Sequence, residues 1–208
     1  MEAHPRLHFL CVQPSLNPLA TSTMKTYRRT ILLAAAALAL SACGPAPLKL
    51  SDDKSPASFL AALKQNGAGF TVGTASAKPP VYVLFDPQCP HCGEFWRMTA
   101  ELRKTRQFVW VPIVVLRAPA NRPQGGALLL AKNPEAAMEA HEKSLFAHEG
   151  GISGRDSTDE SRAKVDRNTE IAEHFDLQGV PTILVPKGNA VGVITGVPSP
   201  ELFAEAFN

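Results

Sequence analysis

The chain has 208 residues, with 21 basic and 19 acidic side chains and a formal net charge of +2. That balance gives no sign of a nucleic-acid partner, and 45% apolar residues suit one globular domain with a real core. Four cysteines are too few for a disulfide-rich scaffold, so folding must rest on packing.

From Met24 the pattern is that of a bacterial export signal: Lys25, Arg28 and Arg29 are the basic region, and Ile31 to Leu40 the short apolar core. Residues 1–23 hold three prolines and an isolated Cys11, and they fit poorly in front of such a signal because they displace its basic region from the start. Translation is therefore expected to begin at Met24. A ten-residue apolar run is too short to span a bilayer as an ordinary helix, which needs roughly 20 residues. The segment ends Leu40-Ser41-Ala42-Cys43, which resembles the lipobox of bacterial lipoproteins. That resemblance implies lipidation at Cys43 and a membrane anchor. By the same resemblance, Gly44 in place of Asp implies the outer membrane, on the periplasmic side.

Residues 44–55 read as a tether. Ser55-Pro56 starts a short amphipathic helix with Phe59, Leu60 and Leu63 on one side, and Asn66-Gly67 ends it. Phe70 to Val72 is a short strand, Ala75 to Pro80 a loop, and Val81 to Leu84 a buried strand.

The strand leads into Phe85-Asp86-Pro87-Gln88-Cys89-Pro90-His91-Cys92-Gly93-Glu94-Phe95-Trp96. Phe95, Met98 and Leu102 can share one helix face. Two cysteines two residues apart, at a strand-to-helix turn, are placed as a redox dithiol. Pro90 suits a first helical turn, which does not need its missing N–H. Cys89, just before the helix, faces unpaired N–H groups and the positive end of the dipole, which favour a thiolate. Cys92 is the resolving partner. Competing readings are weaker. Structural zinc needs four ligands, and Cys11, Cys43, His141 and His148 do not supply a second pair. Attachment of c-type haem needs a His after the second Cys, where Gly93 stands. A purely structural disulfide is a further reading, over which the turn-and-helix context favours a redox pair. No metal or small-molecule cofactor is expected, since the electrons travel as cysteine sulfur chemistry. Asp86 and Glu94 are candidates for proton handling near Cys92, although such acids ordinarily start helices or sit on the surface.

Further along, Phe108 to Leu116 is a β-type run in which Pro112 suggests an edge, a bulge or a bend. Asn121 to Gly126 reads as a loop, and Ala127 to Ala131 and Pro134 to Ala147 as two helices. His141 and His148 are read as satisfied or surface residues rather than ligands. Ser153 to Arg167 is charged and reads as a solvated loop and exposed helix face, and Thr169 to Phe175 continues helical. Pro181 stands at the mouth of the run Thr182 to Val185, where it cannot donate to a ladder. From spacing alone its peptide bond is expected to be trans. Lys187-Gly188-Asn189 turns into a return strand, Ala190 to Thr195, and Ser199-Pro200-Glu201 caps a last helix through Phe207.

This order of elements is similar to the thioredoxin fold, an α/β architecture, here with a helical insertion between the second and third core strands. The resemblance covers residues 56–208. It implies that Pro181 is the cis proline beside the dithiol. It also implies that Val180, with Pro181 and Thr182, shapes a groove where a substrate segment pairs by its backbone. The motif segment resembles the catalytic domain of the DsbG/DsbC family, and Ala127 to Pro134 resembles the DsbG insert. With only residues 44–55 between Cys43 and Pro56, the dimerisation domain of that family is expected to be absent. Pro90-His91 and the Val before Pro181 are instead similar to the oxidase DsbA, and His91 is then expected to help stabilise the Cys89 thiolate. The implied function is a cell-envelope thiol:disulfide oxidoreductase acting on cysteine-containing proteins and served by a membrane redox partner. The scaffold points towards a reductase or isomerase and the motif towards an oxidant. The reading from a different class is a lipoprotein binding or chaperone module in which the disulfide is incidental.

Overall fold

The computed structural model describes residues 48–207. The readings placed on the first 47 residues, including Met24 and Cys43, lie outside the described residues. The first helix, α1 (Pro56–Asn66), is capped by Ser55, whose side chain accepts from Ser58 N. Five strands follow in the order of the chain: β1 (Phe70–Val72), β2 (Val81–Phe85), β3 (Phe108–Pro112), β4 (Thr182–Lys187) and β5 (Ala190–Thr195). They form one sheet in the order β1-β3-β2-β4-β5, with β2 and β3 parallel and the other pairs antiparallel.

The central strand β2 is apolar throughout because both faces of the sheet are covered. Alternation along the strand divides its side chains. Val83 and Phe85 enter one core with Phe95, Trp96, Trp110 and Phe207. Leu84 enters the other with Phe59, Leu63, Ile113, Ile171 and Phe175. Helices α2 (Pro90–Met98) and α7 (Pro200–Phe207) serve the first core, and α1 and α6 (Asp159–His174) the second.

Three elements depart from the sequence reading. The helix after the motif breaks at Thr99 and resumes as α3 (Ala100–Arg103). Its buried side is therefore Cys92, Phe95, Trp96, Thr99 and Arg103, with Met98 and Leu102 only half buried. The β-type run stops at Pro112 rather than Leu116, since the N–H groups of Val115 and Leu116 turn away to the Asp86 carboxylate. Nor is β3 an edge. Its Pro112 lies past the end of β1, whose Phe70 pairs with Trp110, so no β1 residue stands opposite the missing N–H.

The third departure is α4 (Asn121–Leu130), which is helical from Asn121 where the composition suggests a loop. Glycines at 125 and 126 make the close approach of α4 to α6 workable. A Cβ at Gly126 would stand 2.8 Å from Ser161 Oγ, and one at Gly125 would stand 3.1 Å from Val165 Cγ2. Helix α5 (Pro134–Phe146), capped by the Asn133 side chain, completes the insertion between β3 and β4. The charged stretch after it enters α6 through a capping box of Thr158 and Ser161. The exposed face of α6 is solvated as expected, while Ser161, Val165 and Asn168 are buried.

Candidate active site

Cys89 is the residue just before α2, with extended backbone, and Pro90 opens the first turn. The first-turn N–H groups of a helix lack intrahelical partners, so they surround the sulfur at this position. Cys89 is 4% exposed and Cys92 fully buried, with no bond between them in this structure. Their environments push them apart. Cys89 is lowered from 9.0 to about 6, chiefly because the Cys92 thiol donates to it, then by the backbone N–H groups of Cys92 and His91. Burial opposes this shift, and the His91 charge is the last contribution. Cys92 is driven well above its ordinary value by burial, and further by the Cys89 charge beside it. One sulfur is thus favoured as a thiolate and the other as a thiol. Pro90 and His91 are exposed on the outer surface of the turn.

Across from Cys89 stands the segment before β4. The Val180–Pro181 peptide bond is cis, against the trans expectation from spacing and in line with the family resemblance. The Val180 carbonyl lies 3.8 Å from Cys89 Sγ and accepts from it while Cys89 is a thiol. Thr182 is buried, and its hydroxyl donates to Gly179 O at 2.6 Å, while Gly196 N donates to Pro181 O. Beside this segment a cavity of about 230 Å³ opens between the β3–α4 and α6–β4 connections, lined by Ile113, Val115, Arg117, Leu177 and Gly179. Val115 and Leu116 are exposed on the same connection.

Asp86 is almost fully buried, and its carboxylate accepts from Gln88 N, Val115 N, Leu116 N and Asn121 Nδ2. It ties the motif turn to the β3–α4 connection. Its backbone N–H is directed to Cys92, where it favours the thiolate. Glu94 is exposed. The acid buried against the motif helix is Glu142 on α5, which is 3% exposed. Its Oε2 lies 2.1 Å from where a Cβ on Gly93 would be. Burial, then the Cys89 charge, raises Glu142 from 4.5 to about 8, with Arg97 opposing.

The inserted helices grip the motif turn from its other side. His141, fully buried, bonds Pro87 O through Nε2 at 2.6 Å and accepts Ile152 N at Nδ1. An accepting Nδ1 makes Nε2 the protonated nitrogen of a neutral ring, and burial lowers its pKa accordingly. Gln88 Nε2 donates to Gln124 Oε1, and Gln124 in turn holds Gly150 O and Ile152 O. Sequence reasoning missed Glu142, Gln124 and Asn121. The only mark of Glu142 in the chain is the absence of a side chain at Gly93, which takes its meaning from the packing. Among the described residues, no group of three or more His, Cys, Asp or Glu side chains is placed to hold a metal ion.

Comparison with known proteins gives a consistent picture. A family model described as a thioredoxin-like domain matches residues 71–208. The thiol:disulfide interchange protein DsbG of Pseudomonas aeruginosa is 28% identical over 155 residues, which is 68% of this chain and 56% of that protein. The chain thus spans little more than half the length of this relative. Among solved structures, Proteus mirabilis ScsC in a transitional conformation superposes with a TM-score of 0.57 at 18% identity. That match covers 76% of this chain and 80% of the other. A periplasmic thioredoxin-like protein from Salmonella enterica serovar Typhimurium gives 0.53 at 14% identity, over 72% and 93%. At these identities the structural likeness bears on the fold.

Proposed function

The chain belongs to the thioredoxin-like domain family, and from that premise we propose that it is a thiol:disulfide oxidoreductase acting on protein substrates. The observation that carries the reading is the asymmetry of the pair: Cys89 lowered to about 6 beside a buried Cys92 driven upward. In the reducing direction the Cys89 thiolate attacks a substrate disulfide and forms a mixed disulfide. The Cys92 sulfur then attacks Cys89 Sγ, closing the Cys89–Cys92 disulfide and releasing the second substrate thiol. Two electrons pass to the substrate. The oxidising direction is the reverse, with a substrate thiolate attacking the Cys89–Cys92 disulfide. Val180, Pro181 and Thr182 form the wall against which an extended substrate segment lies, and the adjoining cavity at Val115 and Leu177 accommodates one of its apolar side chains.

The low Cys89 value stabilises the dithiol over the disulfide and so biases the pair towards oxidation of its partners. A reduction potential between the thioredoxin-like figure of about −270 mV and the strongly oxidising figure of about −120 mV is the expected outcome. The proposal extends to place and partners: a periplasmic domain, lipid-anchored at Cys43 to the outer membrane, exchanging with cysteine-containing proteins and with a membrane redox partner. The lipobox-like residues Leu40 to Cys43 support the anchor. The test is redox titration of the pair against glutathione, together with exchange assays on Cys89→Ser. A reversible two-electron potential and loss of exchange in Cys89→Ser are expected. Full exchange activity in that variant would remove the proposal.

A further inference from the structure

Helix α5 buries two neighbouring titratable side chains against the motif, and they differ in what they hold. Glu142 Oε2 has no hydrogen-bond partner among the described residues, whereas both ring nitrogens of His141 are engaged. What His141 engages is specific. Cys89 N donates to Asp86 O at 3.0 Å, so Asp86 to Cys89 is a β-turn with Pro87 and Gln88 as its central residues. The Pro87 carbonyl belongs to the central peptide of that turn, the unit whose rotation converts a type I turn into type II. Type II needs a positive φ at the third residue, and Gln88 does not have one, so the turn is type I. Its central peptide is pinned at both ends. The oxygen meets His141 Nε2 at 2.6 Å, and the N–H, on Gln88, donates to Asp86 Oδ1 at 2.8 Å.

The insertion is shaped to hold the ring in this state. Ile152 N donates to His141 Nδ1 at 3.1 Å, which leaves the ring proton on Nε2 for Pro87 O. The backbone reaches that position through Gly150 and Gly151, both with φ of +87°. A Cβ at Gly151 would stand 2.6 Å from His141 Cε1, so the loop closes on the ring at a distance that only glycine allows. Gln124 holds the same loop at Gly150 O and Ile152 O. The Gln88 side chain donates to both Gln124 Oε1 and Gly150 O, so the insertion grips each of the two residues before Cys89. Packing alone would be met by an apolar side chain in the fully buried place of His141.

We propose that His141 is a positioning residue of the redox turn: it locks the Pro87–Gln88 peptide, so that Cys89 is delivered to the N-terminus of α2 in one orientation. This inference rests on the oxidoreductase reading. With the lock released, rotation of that peptide takes Gln88 N from Asp86 and shifts the backbone that enters Cys89. The sulfur then spends less time against the N–H groups of His91 and Cys92. Attack by Cys89 slows and its midpoint climbs towards that of an ordinary thiol, although no group that touches the sulfur has changed.

The test compares wild type with His141→Phe, which keeps a ring and loses both bonds, and His141→Gln, which keeps a donor for Pro87 O. Stopped flow of the reduced full chain with oxidised glutathione gives the second-order rate of Cys89 attack. Alkylation against pH gives the Cys89 midpoint, and urea unfolding gives stability. His141→Phe is expected to attack roughly tenfold more slowly, with a raised midpoint, since misplacing a reacting group by about 1 Å can cost up to about 100-fold. His141→Gln recovers most of the rate. A folded His141→Phe protein that is less stable yet keeps the wild-type rate and midpoint would overturn the assignment. Nitrogen-15 NMR of the wild type tests the lock without any variant. A neutral ring protonated at Nε2 is expected, and protonation at Nδ1 instead would overturn it. Failure of wild type to react with glutathione would bring down the oxidoreductase reading, whereas the tautomer is read independently of that reaction.

Discussion

Removing the Cys92 thiol should disturb Cys89 more than removing the His91 ring, although His91 is the residue whose charge invites attention in the sequence. A midpoint of about 6 against an ordinary 9.0 makes Cys89 about 90% thiolate at pH 7, where an ordinary thiol is about 1%. Summed over both protonation states, the reduced form gains about 1.4 kcal/mol at pH 7, equivalent to about 30 mV for a two-electron couple. The largest source of this shift is the hydrogen bond from Cys92, and the smallest is the His91 charge. A hydrogen bond to a charged group is worth about 1.5–3 kcal/mol, so Cys92→Ala should move the Cys89 midpoint up by about one to two pH units. His91 is exposed and its charge screened, so His91→Ala should move it by less than about half a unit. Thiolate absorbance and the pH dependence of iodoacetamide alkylation read both midpoints directly. A Cys92→Ala midpoint unchanged at about 6, or a larger displacement in His91→Ala, would refute this ordering of causes.

The buried acids give two more expected outcomes. Asp86→Ala leaves the N–H groups of Gln88, Val115 and Leu116 and the Asn121 amide without their acceptor, and should cost about 3 kcal/mol or more, read as a lower urea midpoint. An unchanged midpoint would show that water takes over these donors without penalty. Glu142 has a folded pKa raised above its unfolded value, so the folded state binds its proton more tightly. Its contribution is fully present below pH 4.5 and is lost as pH climbs to about 8, by a few kcal/mol. Glu142→Gln should flatten that decline and be the more stable protein at the alkaline end of the window. Parallel stability–pH curves for the two proteins would contradict the burial of an ionisable, unpartnered group.

Much of this molecule is legible in the chain because local rules and the fold agree. Ser55-Pro56, the apolar run into Phe85, Cys89-Pro90 at a helix start and the hairpin at Gly188 all speak through short-range chemistry. The departures arise where a residue's role depends on something distant. Asn121 to Gly126 has a loop's composition, and its glycines make sense only once α6 lies against them. The strand-like residues after Pro112 leave the sheet because a carboxylate 29 and 30 positions earlier claims their N–H groups. Glu142 looks like any acid on a charged helix until Gly93 is seen beneath it. Nearness to the cysteines in sequence nominates Asp86 and Glu94 for proton handling. The structure surrounds the Asp86 carboxylate with donors and turns Glu94 to solvent.

Two of the bonds that shape the motif turn are long-range in the chain, and this bears on the order in which the protein is made. Pro87 O is held by His141, 54 positions later, and Cys89 Sγ meets Val180 O, 91 positions later. Loops of that length close late, since their entropy must be met before the contacts return anything. While the chain is being made, both cysteines therefore exist for a time without the buried surroundings that raise Cys92. The burial that drives the Cys92 thiol upward is completed by the docking of α5 and of the segment before β4, whereas the hydrogen bonds that lower Cys89 come from Cys92 and His91 within the turn itself. A chain truncated before Val180 would carry the motif turn and its local hydrogen bonds but lack the segment that stands across from Cys89.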